Sequence, residues 1–296
     1  MHRKKYGNLV GHGTRRRRSP WLPWAIASLA MVCCTASAAT VDERRGDCGE
    51  DFCPRDAVFQ TAPLQALMAG VLESPVTFAT GLRHGDFGLG GMSPLDGEVI
   101  VVDGMPYHAR EDGSIRRVDP GERTSVLIVK HFQPDTSARL AAIRDLDDLV
   151  DQLDAAAGFH NRIHAVRIDG RFDTIRLRSV PRQSAPYVPV TTVVQSQKVF
   201  EMEQVDGTLV GFRFPAWARG INAPGYHFHF VDEARERGGH VLDIAGRSMD
   251  AQIDTSRAVT VMTPDDPLFD NMDFDGSAES IQYRRALRPD AKEGRP

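Results

Sequence analysis

Apolar and polar residues alternate along most of the chain with the two-residue period of strands, and only one long stretch carries the period of a helix. "RDLDDLVDQLDAAA" sets Leu146, Leu149, Val150 and Leu153 at i, i+3, i+4 and i+7, one apolar stripe on an otherwise acidic segment. "TAPLQALMAGVLES" predicts a shorter helix, capped by Thr61 and stopped at Ser74-Pro75, and "TTVVQSQKVFE" predicts another. "EVIVVDGMPYHAREDGSIRRV" places Asp103-Gly104 and Asp112-Gly113 at hairpin turns between β-rich runs. "TSVLIVKHF" reads as a buried strand, and "IHAVRIDGRFDTIRLRSV" as a second hairpin turning at Asp169-Gly170. "HGDFGLGG" follows no clear strand and opens no helix, so a nucleotide-binding reading fails on context; a loop packed close to other backbone is expected.

These elements describe a strand-dominated α+β chain with two mixed or antiparallel β-sheet domains and a few short helices. The segment "VPRQSAPYVPV", with three prolines, connects the halves. The expected division is an export signal at 1–38, a leader at 39–56, an N-terminal β-rich domain at 57–180 and a C-terminal β-rich domain at 181–296. No internal repeat is present.

The first forty residues break the pattern. "MHRKKYGNLVGHGTRRRRSP" is basic, and "WLPWAIASLAMVCCTASAAT" is apolar and ends in small residues. Basic, apolar and small segments in that order form an export signal, with Ala36-Ser37-Ala38 as the cleavage site and a periplasmic or secreted product. An uncleaved membrane anchor is the alternative, with an apolar run of borderline length for spanning. Removal of 1–38 leaves 29 basic and 40 acidic residues, a net charge of −11. So acidic a mature chain, without basic patches, is a poor partner for nucleic acid or an anionic membrane. Cys48 and Cys53, in "CGEDFC", form a short-loop disulfide candidate in an oxidising compartment.

Candidate chemistry concentrates in "PGYHFHFVDEARERGGHVLD". The whole chain has ten histidines, and three of them, His227, His229 and His240, fall here. On a strand His227 and His229 share a face, while Tyr226, Phe228 and Phe230 point the other way. A polar loop then lets "HVLDI" return beside them with His240. Three neutral imidazoles converging from a hairpin suit Zn²⁺ with open positions, the arrangement of a catalytic site. An imidazole-rich hairpin without metal is the competing reading. His84, His108, His131, His160 and His164 stand singly and read as structural.

The same stretch, as "INAPGYHFHFVDEARERGGHVLD", resembles the signature of the α-acetolactate decarboxylases. Further blocks resemble that family in order along the chain from about Leu64 to Pro264: "RHGDFGLG", "LDGEVIVVDG", "DGSIRRVD", "AVRIDGRF", "RSVPRQSAPY" and "GFRFPAWARGINAPGYH". The resemblance implies two β-rich domains, a homodimer, and zinc on His227, His229 and His240. The implied reaction is conversion of 2-acetolactate to acetoin and CO₂. Decarboxylation leaves an electron pair at C2, and a metal chelated by the hydroxyl and ketone oxygens acts as a Lewis acid that lowers the energy of the resulting enediolate. The resemblance assigns the carboxylate-orienting role to Arg178, a planar guanidinium suited to it. It assigns proton transfer to Glu98, which begins an apolar strand and shares a face with Ile100 and Val102. Two departures stand out. Gly91 replaces a threonine common in the family, and the tail "SAESIQYRRALRP" has Arg284 and Arg285 where a second glutamate is expected, Glu279 being the nearest carboxylate. Two rival readings remain, a cupin-like His₃-metal enzyme and a catalytically weakened relative that binds only metal or a hydroxy acid.

Overall fold

The strand Thr124–Lys130 (β6) lies at the heart of a seven-stranded sheet, with all seven residues buried. A strand covered on both faces needs no alternation, which is why its middle, Val126–Val129, is continuously apolar. The computed structural model describes residues 56–272, which fall in one compact unit. The segment expected to be an export signal, Cys48 and Cys53, and the tail with Glu279, Arg284 and Arg285 lie outside the described residues.

Beside β6 run Ala57–Gln60 (β1) and Phe87–Met92 (β2); Asp96–Val102 (β3), Met105–Ala109 (β4) and Ile115–Arg117 (β5) extend the sheet beyond β2. The expected turn at Asp103-Gly104 joins β3 to β4, with φ of 52° and 76°, the positive values that a two-residue hairpin demands. Two expectations need correction. The "HGDFGLGG" segment is not a loop; most of it is β2, buried throughout between β3 and β6. The expected close backbone approach is present: a Cβ on Gly88 or Gly90 would stand 2.2 Å from the carbonyl oxygen of Ile128 or Val126. Thr61 does not cap a helix. Its Oγ1 accepts from the Leu127 N–H at 2.9 Å, and the helix Leu64–Met68 (α1) starts behind Pro63 and ends well before Ser74. A further short helix, Phe78–Gly81 (α2), precedes β2.

The second sheet contains Thr136–Arg139 (β7), Ile163–Ser179 (β8), Lys198–Phe214 (β9), Gly225–Asp232 (β10), Gly238–Gly246 (β11) and Asp250–Ser256 (β12), in the order β11-β10-β9-β8-β12-β7. A further β11–β8 pairing closes β8, β9, β10 and β11 into a ring. The hairpin expected at Asp169-Gly170 is absent. Neither residue takes positive φ, and β8 runs straight through them, 17 residues long, paired with an equally long β9. Burial decides this outcome: Ile168, Phe172, Ile175 and Leu177 all sit in one core, and a turn would have split them. The glycines relieve crowding instead, since a Cβ on Gly170 would meet Met249 Sδ at 2.7 Å and one on Gly207, its partner, would meet Phe230 Cζ at 2.4 Å.

The amphipathic segment forms Leu146–Ala157 (α3), capped by Asp145, whose carboxylate accepts from Asp148 N–H at 2.8 Å. Leu149 and Leu153 bury against the second sheet. The helix expected over "TTVVQSQKVFE" shrinks to Val190–Val193 (α4) and a following 3₁₀ turn, because Lys198 onward pairs with β8. The short strand Ala258–Val261 (β13) returns to pair parallel with β1, and Pro267–Asp270 (α5) follows. Sheet membership therefore does not follow the division expected at residue 180: the chain changes sheets between Lys130 and Thr136 and comes back at β13.

The two sheets pack face to face. Leu89, Ile100, Val102 and Ile128 of the first meet Ala165, Val210, Phe212 and Val231 of the second. Val99 and Val101 face the opposite side with Phe78, so alternation along β3 aims Glu98, Ile100 and Val102 at the second sheet. Buried Lys130 adds a polar tie, donating to Asp254 and, at 2.8 Å, to Ser256 Oγ.

Candidate metal centre

Strand register builds the histidine cluster. His229 on β10 is the direct partner of His240 on β11, and His240 is in turn the direct partner of Arg178 on β8. Direct partners project from the same face, so the β11–β8 closure puts a guanidinium and two imidazoles in one row. His227, two residues before His229, joins that face. Phe228 and Phe230 turn into the core on the other side, as expected.

Nε2 of His227 lies 3.1 Å from Nε2 of His229 and 2.9 Å from Nδ1 of His240. Two nitrogens bound to one zinc ion at about 2.0–2.1 Å lie roughly 2.9–3.4 Å apart for bond angles between square and tetrahedral. Both spacings from His227 fit that range, and the three ligand nitrogens all lie within 4.8 Å of one another. The tautomers also fit, because His229 Nδ1–H donates to the Val99 carbonyl at 2.8 Å, leaving the Nε2 lone pair directed at the cluster. That bond reaches from the second sheet to β3 and so fixes the imidazole against the first sheet. Burial pushes all three imidazoles toward the neutral form: His227 falls to about 4, and His229 and His240 well below the ordinary range, with neighbouring positive charge from Arg178 adding to it. Neutral imidazole is the ligating form.

Glu98 arrives from the first sheet. Its Oε1 accepts from Arg178 Nη1 at 3.1 Å and its Oε2 stands 3.4 Å from His229 Nε2. Burial raises its affinity for a proton, and the Arg178 charge opposes that rise. With His229 donating through Nδ1, its Nε2 and Glu98 Oε2 are two acceptors face to face. A cation at Nε2 or a proton on Glu98 is what makes that approach favourable.

The cluster forms the polar end of a cavity of about 270 Å³ lined by Glu98, Arg178, His227 and His240. The remaining walls are mostly apolar: Leu64, Leu67 and Met68 from α1, Leu89 and Gly91 from β2, Val190 from α4 and Val194 just after it. A larger groove of about 530 Å³ lies elsewhere, but its charges are largely spent on one another, as Arg116 with Glu122 and Arg182 with Asp96. The smaller cavity is the one where buried titratable groups converge.

Comparison with known proteins decides what this arrangement belongs to. A sequence model of the family described as alpha-acetolactate decarboxylase matches residues 58–276. The chain belongs to the alpha-acetolactate decarboxylase family. It is 39% identical over 209 residues to the alpha-acetolactate decarboxylase of Methanosarcina mazei, covering 71% of this chain and 73% of that one. It is 34% identical over 227 residues to that of Bacillus subtilis, covering 77% and 89%. The crystal structure of the Bacillus subtilis strain 168 protein superposes with a TM-score of 0.72 at 32% identity, covering 77% of this chain and 97% of that one. The chain is accordingly an enzyme of the carboxy-lyase class, with the expected strand-dominated fold.

All five site residues expected for an alpha-acetolactate decarboxylase, Glu98, Arg178, His227, His229 and His240, come together around one point. Among the described residues the three histidines form the group whose donor atoms could hold a metal, with Glu98 Oε2 3.4 Å from His229 Nε2. Sequence reasoning missed the cavity's walls. Helices α1 and α4 are too short for their apolar residues to show a period, and the glycines of β2 read as a loop. It also missed Asn222, whose side chain donates to Gln60 Oε1 at 2.8 Å and steadies the turn that leads into β10. The only signal for it was a polar residue set between apolar segments.

Proposed function

We propose that the chain converts 2-acetolactate to acetoin and CO₂ with Zn²⁺ held by His227, His229 and His240. The observation that carries this reading is the convergence of three neutral imidazoles, a buried glutamate and an arginine at one end of a largely apolar cavity, in a member of this family. A zinc ion bound there supplies Lewis-acid polarisation of the substrate's hydroxyl and ketone oxygens. His229 is held by Val99 and by its cross-strand partner, so the imidazoles need little rearrangement to act as ligands. Arg178 presents its guanidinium from the same row and orients the carboxylate that leaves as CO₂. The apolar walls exclude water from the carbon that loses it.

Glu98 transfers the proton. Its carboxylate is buried, which favours the protonated form, and it sits against both Arg178 and His229, so a proton on it is delivered from one side of the site. Wild-type protein is expected to release acetoin and CO₂ in equal amounts from 2-acetolactate. Glu98→Gln is expected to keep its metal and fold yet lose about 10²–10⁴-fold in kcat, the usual worth of a positioned acid. Unchanged kcat in that variant removes Glu98 from the mechanism, and no acetoin from wild-type protein contradicts the reading as a whole. In solution the enzyme is proposed to be a homodimer.

A further inference from the structure

The glycines of β2 are not alike. Gly88 and Gly90 cannot carry a side chain, because a Cβ on either would stand 2.2 Å from a carbonyl oxygen of β6. Gly91 meets no such barrier. Its φ is not positive, and a Cβ there would find only the tip of the Leu95 side chain at 3.3 Å and the Gly97 carbonyl oxygen at 3.6 Å. The backbone therefore tolerates a side chain at 91, and the space one would fill belongs to the cavity, which Gly91, Leu89 and Leu95 all line. That space adjoins the chemistry. Gly91 lies opposite the start of β3, with its missing side chain beside Gly97, the residue before Glu98.

Resting on the decarboxylase reading, we propose that Gly91 is a specificity-determining position that reserves room for a C2 substituent larger than methyl. The reacting carbon of a 2-hydroxy-3-oxo acid bears a hydroxyl, a carboxylate, an acyl group and one alkyl group. The metal-ligating imidazoles and Arg178 are matched to the first three, through their oxygen atoms. The alkyl group is left to the apolar wall, where β2 offers an empty position between Leu89 and Leu95. A hydrophobic pocket discriminates one methylene by about 10–200-fold, so occupying that position should be readable as a change in chain-length preference.

The test compares kcat/KM for 2-acetolactate and for its homologue with ethyl in place of the C2 methyl, in wild-type, Gly91→Ala and Gly91→Val proteins. Wild-type protein is expected to use both substrates within about threefold of each other. Gly91→Val is expected to lose at least about tenfold more on the ethyl substrate than on the methyl one, with Gly91→Ala intermediate. Gly91→Ala needs only the end of Leu95 to move, and so keeps the comparison readable if the larger variant folds poorly. Gly90→Ala serves as the steric control and is expected to yield little folded protein. A wild-type enzyme that rejects the ethyl substrate, or a ratio unchanged in both Gly91 variants, overturns the proposal. A wild-type protein inactive on both substrates instead overturns the decarboxylase reading beneath it.

Discussion

Arg178 shows how much a single side chain does in this site. Its guanidinium donates to Glu98, faces the three imidazoles and opens onto the cavity. Its neighbour two residues earlier, Arg176, looks the same in sequence and is exposed. Only the pairing of Arg178 with His240 separates them, and that pairing depends on a ring closure that no local pattern announces. In the sequence, resemblance alone distinguishes the two. Glu98 was more legible, because a glutamate in phase with Ile100 and Val102 is out of place on a strand unless it faces something polar. Substituting Arg178→Lys keeps the charge but replaces a two-pronged clamp with a point donor. Steady-state kinetics should show KM for 2-acetolactate raised about tenfold, the worth of one charged hydrogen bond, with kcat changed less. An unchanged KM would mean that the guanidinium does not hold the substrate carboxylate.

At the scale of elements, sequence patterning succeeded where one segment makes its own structure. The helix α3 has its stripe, its Asp145 cap and a left-handed Gly158 at its end, and all are local features. The Asp103-Gly104 hairpin is equally local. Patterning failed where two segments compete to decide an outcome. Asp169-Gly170 carries a turn signal, yet β8 continues because β9 pairs along its whole length and the shared core holds residues from both sides of the glycine. The β2 glycines resemble a loop because the reason for them, the backbone of β6 at Val126 and Ile128, is far away in sequence. Gly207 belongs to this class, since a Cβ there would meet Phe230 Cζ at 2.4 Å and the Val231 carbonyl oxygen at 2.5 Å. Urea denaturation of Gly207→Ala is expected to show a loss of about 1–3 kcal/mol, the usual cost of overpacking a filled core. Wild-type stability in that variant would mean that β9 and β10 can separate at no cost.

For the whole molecule, the decisive fact is that neither sheet holds the site alone. The imidazoles and Arg178 come from one, Glu98 from the other, and His229 bonds the backbone of β3 across the gap. Sheet-to-sheet registry therefore sets the geometry of the proposed catalytic site, and the Lys130–Asp254 pair is a polar fixing point for it. Removing one partner of a buried ion pair usually costs about 3–5 kcal/mol, whereas replacing both with apolar groups is close to neutral. Lys130→Met should accordingly lower the urea midpoint strongly, and Lys130→Met combined with Asp254→Leu should recover most of the loss. If the double variant is as unstable as the single one, the pair has no specific partner role. Nothing local marks this pair, because Lys130 follows the apolar run Val126–Val129 and a lysine there reads as a solvent-facing edge.

If the enzyme decarboxylates 2-acetolactate through a metal held by His227, His229 and His240, as proposed, metal and activity must leave and return together. The most direct test is acetoin formation by one preparation measured as purified, after removal of metal by a chelator, and after return of Zn²⁺. Activity is expected to disappear with the metal and to come back with about one zinc ion per chain bound by three imidazoles. Full acetoin formation by metal-free protein would contradict it.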